Sequence, residues 1–463
     1  MTFSALDSAL TGPLFATDEM REVFSDESRL SAMLKVEAGL ARAQARFAIV
    51  PDGLGAAIDA ISPGRLDVRD LGYKTAQSVV TTVPFVKAVQ ALLPRDVEAS
   101  FHYGSTAQDI WDSALVLLMR DGFALIKGDL VATLQALVQL SRRHRLTPCA
   151  GRTYGQHAAP VTFGYKAAIW AAGIAEVAAS FDRVSARACT ASCGGPAGTL
   201  TSLGGLGPDV AQAFADELGL AAAPIPWHVR RARIVETAAW LATLIGALAK
   251  MATDLAYMGS TDLSEVAEPH QPGRGGSSAM PHKRNPVSTS VVIAAFAAAK
   301  GHVVSLFDGM TALQERPAGG WQGEWHSLPQ LFGLVSGALR EARSLAEGLE
   351  VYPARMRANL DATKGMLFAD VAASRLAALY GRQKAHAIIQ QASDAVRGSN
   401  RMLRDLIAES QPDPDPAFLQ ALDAAFDLTH AAETAGLWTD RGMAGVQGVI
   451  DLLRGGRPES VSI

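Results

Sequence analysis

Apolar residues recur along this chain at helical spacing. Leu130, Leu134, Leu137 and Val138 fall at i, i+4, i+7 and i+8, and Leu241, Leu244, Ile245 and Leu248 repeat one helical face. Proline, which lacks an N–H donor and clashes with the preceding turn, is absent between Pro94 and Pro148, Pro226 and Pro269, and Pro353 and Pro412. Those intervals are rich in Ala and Leu, the strong helix formers. Alternating β-branched runs are scarce, with Val79 to Val83 the nearest strand candidate. The pattern predicts an all-α fold. Small residues crowd the helical segments, as in "AAIWAAGIAEVAAS" and "VVIAAFAAAKG", which lets helix axes approach closely and points to a bundle shared between subunits. Segment boundaries fall near residues 110 and 352, giving an N-terminal helical segment 1–110, a central long-helix segment 111–352 and a C-terminal helical segment 353–463. The Pro/Asp stretch "SQPDPDPAF" reads as a turn within the last of these.

Three polar stretches interrupt the helices. "HYGSTAQDIWDSA" places Thr106, Gln108 and Asp109 at a helix start, where free N–H groups favour an anion and where Ser105, Thr106 or Asp109 serves equally as an ordinary cap. "GRTYGQHAAPVTFG" carries Tyr154 and His157 just before another helix; histidine suits acid–base work because its reference pKa lies near neutrality. "GRGGSSAMPHKRNPVSTS", residues 273–290, joins glycines that permit unusual backbone angles to Ser277, Lys283, Arg284 and Asn285. Lys283 and Asn285 are suited to hold a carboxylate or a developing oxyanion.

Composition narrows the function classes. With 463 residues, 49% of them hydrophobic, the chain can bury a large core. A net charge of -4 with no strongly basic segment argues against nucleic acid as a partner. Three cysteines are too few for a disulfide framework and stand at the wrong spacing for zinc. No His-x-x-x-His pair occurs among the ten histidines, so neither a metal nor another cofactor is expected. "CGGPAGTLTSLGGLG" lacks the ending of a phosphate loop. The N-terminus lacks the basic and apolar regions of a signal peptide, and charge-free stretches such as Thr237 to Ala249 fall short of the roughly 20 residues of a membrane span. A soluble, cytoplasmic protein is the expectation.

The stretch "GSSAMPHKRNP", Gly276 to Pro286, resembles the signature loop of the fumarase/aspartase superfamily, and "HYGSTAQD" and "GRTYGQHAAP" resemble its first two polar regions in the same order. The resemblance spans essentially the whole chain. It implies a three-domain fold, a homotetramer with a twenty-helix core, active sites shared by three subunits, and metal-free addition or elimination beside a carboxylate. Within the superfamily, "SDESRLSAMLKVEAGLARAQ", "PWHVRRARIVE" and "GGWQGEWHSLPQ" are most similar to the bacterial 3-carboxy-cis,cis-muconate cycloisomerases, which implies a small di- or tricarboxylate substrate. Adenylosuccinate lyases share the loop and are the alternative; they usually carry histidine where this chain has Tyr154. The resemblance assigns proton transfer to Ser277, carboxylate binding to Lys283 and Asn285, and orientation of a histidine to Glu324, with His157 as a second proton-transfer candidate. Thr106, Gln108, Tyr154, Arg231, Arg233, Arg284 and Arg316 complete the expected substrate contacts, arginine being suited to bidentate carboxylate binding.

The chain also departs from that pattern. Ala107 replaces a serine, Gln314 stands where relatives often have histidine, "SVVTTVPF" lacks a Gly-Asn pair, and Lys364 is unexpected. A loss of one hydroxyl contact leaves room for a substituted muconate such as 4-sulfomuconate. Some superfamily members are lens structural proteins, but here Ser277 and Lys283 are both present.

Overall fold

Six helices of 20 or more residues dominate the computed structural model, which describes residues 3–411 and 413–456: Asp26–Ala45, Ala107–Arg143, Ala232–Met258, Val287–Phe307, Gly320–Gly348 and Leu428–Leu453. The periodic positions read from the sequence are those that bury. Leu130, Leu134 and Leu137 are fully enclosed, and so are Leu241, Leu244, Ile245 and Leu248. Each such side chain is worth about 1.5–3 kcal/mol when removed from water.

The chain divides into two compact units, each assembled from three separate stretches. One gathers the chain up to Leu130 with Val177–Gly246 and Val291–Arg340; the other gathers Val131–Glu176, Ala247–Ser290 and the chain from Glu341 onward. In the first unit an aromatic cluster fills the core. Phe123 meets Phe181 and Phe332 edge-on at centroid distances of 5.8 and 5.2 Å, and Trp240 meets Phe181 at 5.6 Å. In the second unit Leu376, Leu403, Phe418 and Leu422 close a core of short helices. The Pro/Asp stretch falls partly on residue 412, outside the described residues; after it, the Asp415 carboxylate accepts from Ala417 N and caps Pro416–Ala425. Lys364 is accounted for here, since its ammonium donates to Ser399 O at 2.7 Å.

The strands lie elsewhere than the sequence indicated. Val79 ends the helix Val68–Ser78 in a left-handed conformation, and Val79 to Val83 forms no strand. Pro148–Thr153 and Gln156–Thr162 pair as an antiparallel hairpin instead. Tyr154 and Gly155 turn the chain at φ 52° and 75°, the paired positive values of a two-residue hairpin turn. The hairpin was hidden because its strands hold Gly151, Ala158, Ala159 and Pro160 rather than a β-branched alternation.

Three helices are long and apolar enough, by length and composition, to cross a bilayer: Ala107–Arg143, Ala232–Met258 and the stretch Val287–Thr311. Charge-free stretches do not disclose them, because an apolar window of 18 residues can carry up to two charges. The apolar window of Val287–Thr311 is only 28% buried in the protomer, and Ile293, Val304, Phe307 and Met310 lie exposed along it.

Candidate active site

The expected site residues fall into two sets, one in each unit. In the first unit the helix Ala107–Arg143 starts at Thr106, whose N–H donates to the Asp109 carboxylate at 3.0 Å, one half of a capping box. Asp109 is fully buried and also accepts from Gly194 N at 2.8 Å, Gly195 N at 2.9 Å and His228 Nε2 at 2.7 Å. A side chain at Gly194 would place its Cβ 2.8 Å from the His228 ring, so glycine is what lets the imidazole in. The glycine-rich stretch that fails as a phosphate loop thus cradles a buried carboxylate of the chain itself.

One helical turn further, Asp112 accepts from Arg231 through both oxygens, at 2.7 and 3.2 Å, and from Trp321 Nε1 at 2.9 Å. The other side of the Arg231 fork binds both oxygens of Glu324, Nε to Oε1 at 2.8 Å and Nη2 to Oε2. Burial pulls the Arg231 guanidinium down, but Asp112 and Glu324 outweigh it and hold the group above its ordinary value. Glu324 is raised, because burial outweighs the pull of Arg231. These partners differ from the expected ones. The sequence predicts a substrate contact at Arg231 and an orienter of His157 at Glu324, whereas the Arg231 fork donates to both oxygens of Glu324 and to Asp112.

Arg316 contrasts with its neighbour. It is half-buried and donates to Gln108 Oε1 at 3.0 Å, Thr106 Oγ1 at 3.2 Å and Gly195 O at 3.4 Å, with His228 Nδ1 at 3.5 Å. Among the described residues no carboxylate pairs with it. Thr106, Gln108 and Arg316, all expected substrate contacts, therefore converge, and the guanidinium they surround lacks a counter-anion. Arg233 stacks on Trp227 with Cζ 4.6 Å from the ring centre; burial and then Arg230, Arg187 and Arg231 push it down to about 10.

The second unit holds the signature loop and the hairpin. Ser277 Oγ accepts from Met280 N at 3.1 Å and Ala279 N at 3.4 Å, so two backbone dipoles already face the hydroxyl oxygen. The loop is closed on itself by Asn285 N donating to Gly275 O at 2.7 Å; a Cβ on Gly275, at φ 71°, would lie 2.5 Å from Asn285 O. Lys283 and Asn285 are exposed and line a cavity of about 810 Å³. Arg284 is engaged within the unit, donating to Glu268 O at 3.0 Å and pairing with Glu350 at 3.2 Å. The Glu268 carboxylate accepts from Ser288 N and Thr289 N, at 2.8 and 2.9 Å, at the start of the helix Val287–Phe307. His157 stands on the outer hairpin strand with Nδ1 buried and unpartnered; burial first, then Arg152, lowers its pKa. Tyr154 is fully exposed at the hairpin tip. Among the described residues no three His, Cys, Asp or Glu side chains gather to hold a metal ion.

Comparison with known proteins places the chain. Residues 14–301 match a family model described as Lyase. The chain belongs to the lyase family. Within the family it is 41% identical over 434 residues to 3-carboxy-cis,cis-muconate cycloisomerase of Pseudomonas aeruginosa, covering 93% of this chain and 95% of that protein. It is 37% identical over 454 residues to nitrosuccinate lyase of Streptomyces davaonensis, covering 96% of each. The crystal structure of 3-carboxy-cis,cis-muconate lactonizing enzyme from Pseudomonas putida superposes with a TM-score of 0.89 at 37% identity, covering 96% of this chain and 100% of that one. The helical fumarase/aspartase fold expected from the signature loop is therefore the fold of this member of the family.

Sequence reasoning missed His228, Asp112 and the use of Gly194 and Gly195. His228 stood inside a motif, "PWHVRRARIVE", from which only the arginines were taken. The Thr-x-x-Asp spacing of Thr106 and Asp109 was the available signal, since an N-cap pattern with an acidic third residue marks a carboxylate turned back on the helix start.

Proposed function

We propose that this chain closes 3-carboxy-cis,cis-muconate to 4-carboxymuconolactone, a ring closure in aromatic breakdown by the β-ketoadipate route. The observation that carries this reading is Arg316, a half-buried guanidinium ringed by neutral acceptors, in a chain 41% identical over 434 residues to a protein named for that reaction. A substrate carboxylate adds to the substrate's own double bond, forming the ring C–O bond. The π electrons move toward a second carboxylate as an enediolate, and a proton then reaches the adjacent carbon. The enzyme has to fold the diene, hold the developing negative charge and deliver the proton. Ser277 is the proton-transfer group in this reading, its oxygen already facing two backbone N–H groups. Lys283 and Asn285 hold the developing charge, Arg316 with Thr106 and Gln108 anchors another carboxylate, and His157 is the second proton-transfer candidate, with Tyr154 and Arg233 at the periphery. The chain organisation 1–110, 111–352 and 353–463 belongs to the same reading, as does a cytoplasmic location.

The site is shared in this reading among three subunits of a homotetramer. The exposed apolar face of Val287–Thr311 supports it, since a 28% buried apolar window needs a covering partner. The twenty-helix core would supply that cover from other copies.

A β-elimination from a substituted succinate is the second reading. It is favoured by the nitrosuccinate lyase relative and by a local departure: Thr82 Oγ1 donates to Ala107 O at 3.1 Å, so the stretch lacking the Gly-Asn pair packs under the position lacking the serine. Two sequence departures thus share one place in the first unit. The test is to mix purified protein and a chelator with 3-carboxy-cis,cis-muconate and follow loss of diene absorbance, with 4-sulfomuconate, adenylosuccinate and nitrosuccinate in parallel. Rapid loss with the first is expected. Turnover of a succinate alone would transfer the assignment to elimination.

A further inference from the structure

We propose that Asp109 and Asp112 are positioning residues that aim the Arg316 guanidinium at a substrate carboxylate through neutral intermediaries, which keeps its charge available to the substrate. The proposal rests on the reading of Arg316 as a carboxylate anchor and specifies how that anchor is built. Arg231 illustrates the other arrangement: two carboxylates touch its fork directly, and its charge is spent inside the protein. Around Arg316 the same kind of buried carboxylate is present but stands one group further away.

Gln108 is the first intermediary. Its Nε2 donates to Asp112 Oδ2 at 3.2 Å and to His228 O at 3.0 Å, so its amide has one orientation, with Oε1 presented to Arg316 Nε. Asp112 is itself fixed by Arg231 and Trp321. His228 is the second. The oxygens of Asp109 already take N–H groups from Thr106, Gly194 and Gly195, so Asp109 acts as an acceptor and the imidazole carries its proton on Nε2. That leaves the Nδ1 lone pair turned toward Arg316 Nη2. Thr106 and Gly195 repeat the pattern. Each offers an oxygen to Arg316 while its own N–H ends on Asp109. All four acceptors of the guanidinium are thus neutral groups held by one of two buried aspartates. A direct ion pair would give the cation an internal partner that a substrate carboxylate must displace. Neutral acceptors fix direction without that competition.

The test turns an intermediary into an ion-pair partner. Gln108→Glu is isosteric and puts a carboxylate directly on Arg316; Gln108→Met removes the acceptor and adds no charge. Thr106→Asp and Thr106→Val ask the same question from the half-buried rim, where folding is less at risk. Binding of propane-1,2,3-tricarboxylate, an unreactive probe, is measured by titration calorimetry, alongside KM, kcat and thermal melting. The acidic variants are expected to weaken binding and raise KM roughly 10–100-fold, the span of a charge-assisted contact. The Met and Val variants lose less, and kcat changes less than KM in every case. Asp112→Asn, which removes the charge that holds the Gln108 amide, is expected to raise KM with a smaller change in kcat. Acidic variants that bind as the unaltered protein does, or no worse than the apolar ones, overturn the positioning role. Failure of the unaltered protein to bind the tricarboxylate overturns the carboxylate-anchor reading itself.

Discussion

In the proposed reading, the charged cluster of the first unit and the signature loop of the second solve different parts of one problem. Asp109, Asp112, Arg231 and Glu324 are buried on or beside long helices, and every charge there meets a partner. Ser277, Lys283 and Asn285 sit on a loop whose exposed residues are organised by backbone hydrogen bonds across Gly275. A cation that must recognise a carboxylate in a fixed direction benefits from a rigid frame. A hydroxyl that must reach a carbon after substrate enters benefits from a segment that can close over it. In the proposed reading, the difference teaches that substrate placement and proton delivery are built from opposite materials. Damage to them should be read by different measurements.

The sharpest contrast comes from Ser277→Ala. Proton transfer by a positioned group contributes about 10²–10⁴-fold, so kcat is expected to fall by that order while the melting temperature holds, since the Ser277 hydroxyl accepts its hydrogen bonds from Ala279 N and Met280 N of its own loop. A steady-state assay paired with a thermal melt checks both halves. An unchanged kcat would move proton delivery to another group. Arg231→Met tests the other region, because it strands the Asp112 and Glu324 carboxylates in the core. Stranding a buried charge costs about 3–5 kcal/mol. The melting temperature should therefore drop by several degrees, with Arg231→Lys, which keeps the charge but not the fork, falling between. A drop for Ser277→Ala equal to that for Arg231→Met would erase the distinction between the regions.

These regions also differed in how much of them the sequence disclosed. The loop was legible because glycine, serine, lysine and asparagine have no packing reason to crowd between helices, and its residue types carry the family resemblance directly. The helices were legible because their apolar period is undisturbed, as at Leu241 to Leu248. The buried cluster was not. Asp109 looks like a helix cap, Asp112 like a charge on a helix face, and Arg231 like one of several arginines until tertiary folding brings chain positions 112, 231 and 324 to one point. Pairings across 93 to 119 positions leave no periodic trace. The hairpin was hidden for a different reason, since Tyr154 and Gly155 at positive φ make the turn while the flanking strands hold small residues.

The mildest probe of the contrast is the approach to the helix start, a loop stretch within the first unit. His102, at φ 60° and four residues before Thr106, places Nδ1 2.7 Å from Glu37 Oε1 and 3.0 Å from Ser105 Oγ. Burial lowers the His102 pKa, but the charge and hydrogen bond of Glu37, with Asp109 adding to them, more than reverse this, and the net shift is upward. A histidine with a raised folded-state pKa stabilises the fold fully below its unfolded value near 6.5, and that contribution is lost as pH rises through the folded value. A hydrogen bond to a charged group contributes about 1.5–3 kcal/mol, so the effect is smaller than that of Arg231. Melting temperatures of the unaltered protein and of His102→Gln, taken from pH 5.5 to 9, should differ most at the acid end and converge toward the alkaline end. A difference that stays constant across the range would make His102 a neutral packing residue. The approach to Thr106 would then belong with the apolar framework rather than with the charged cluster.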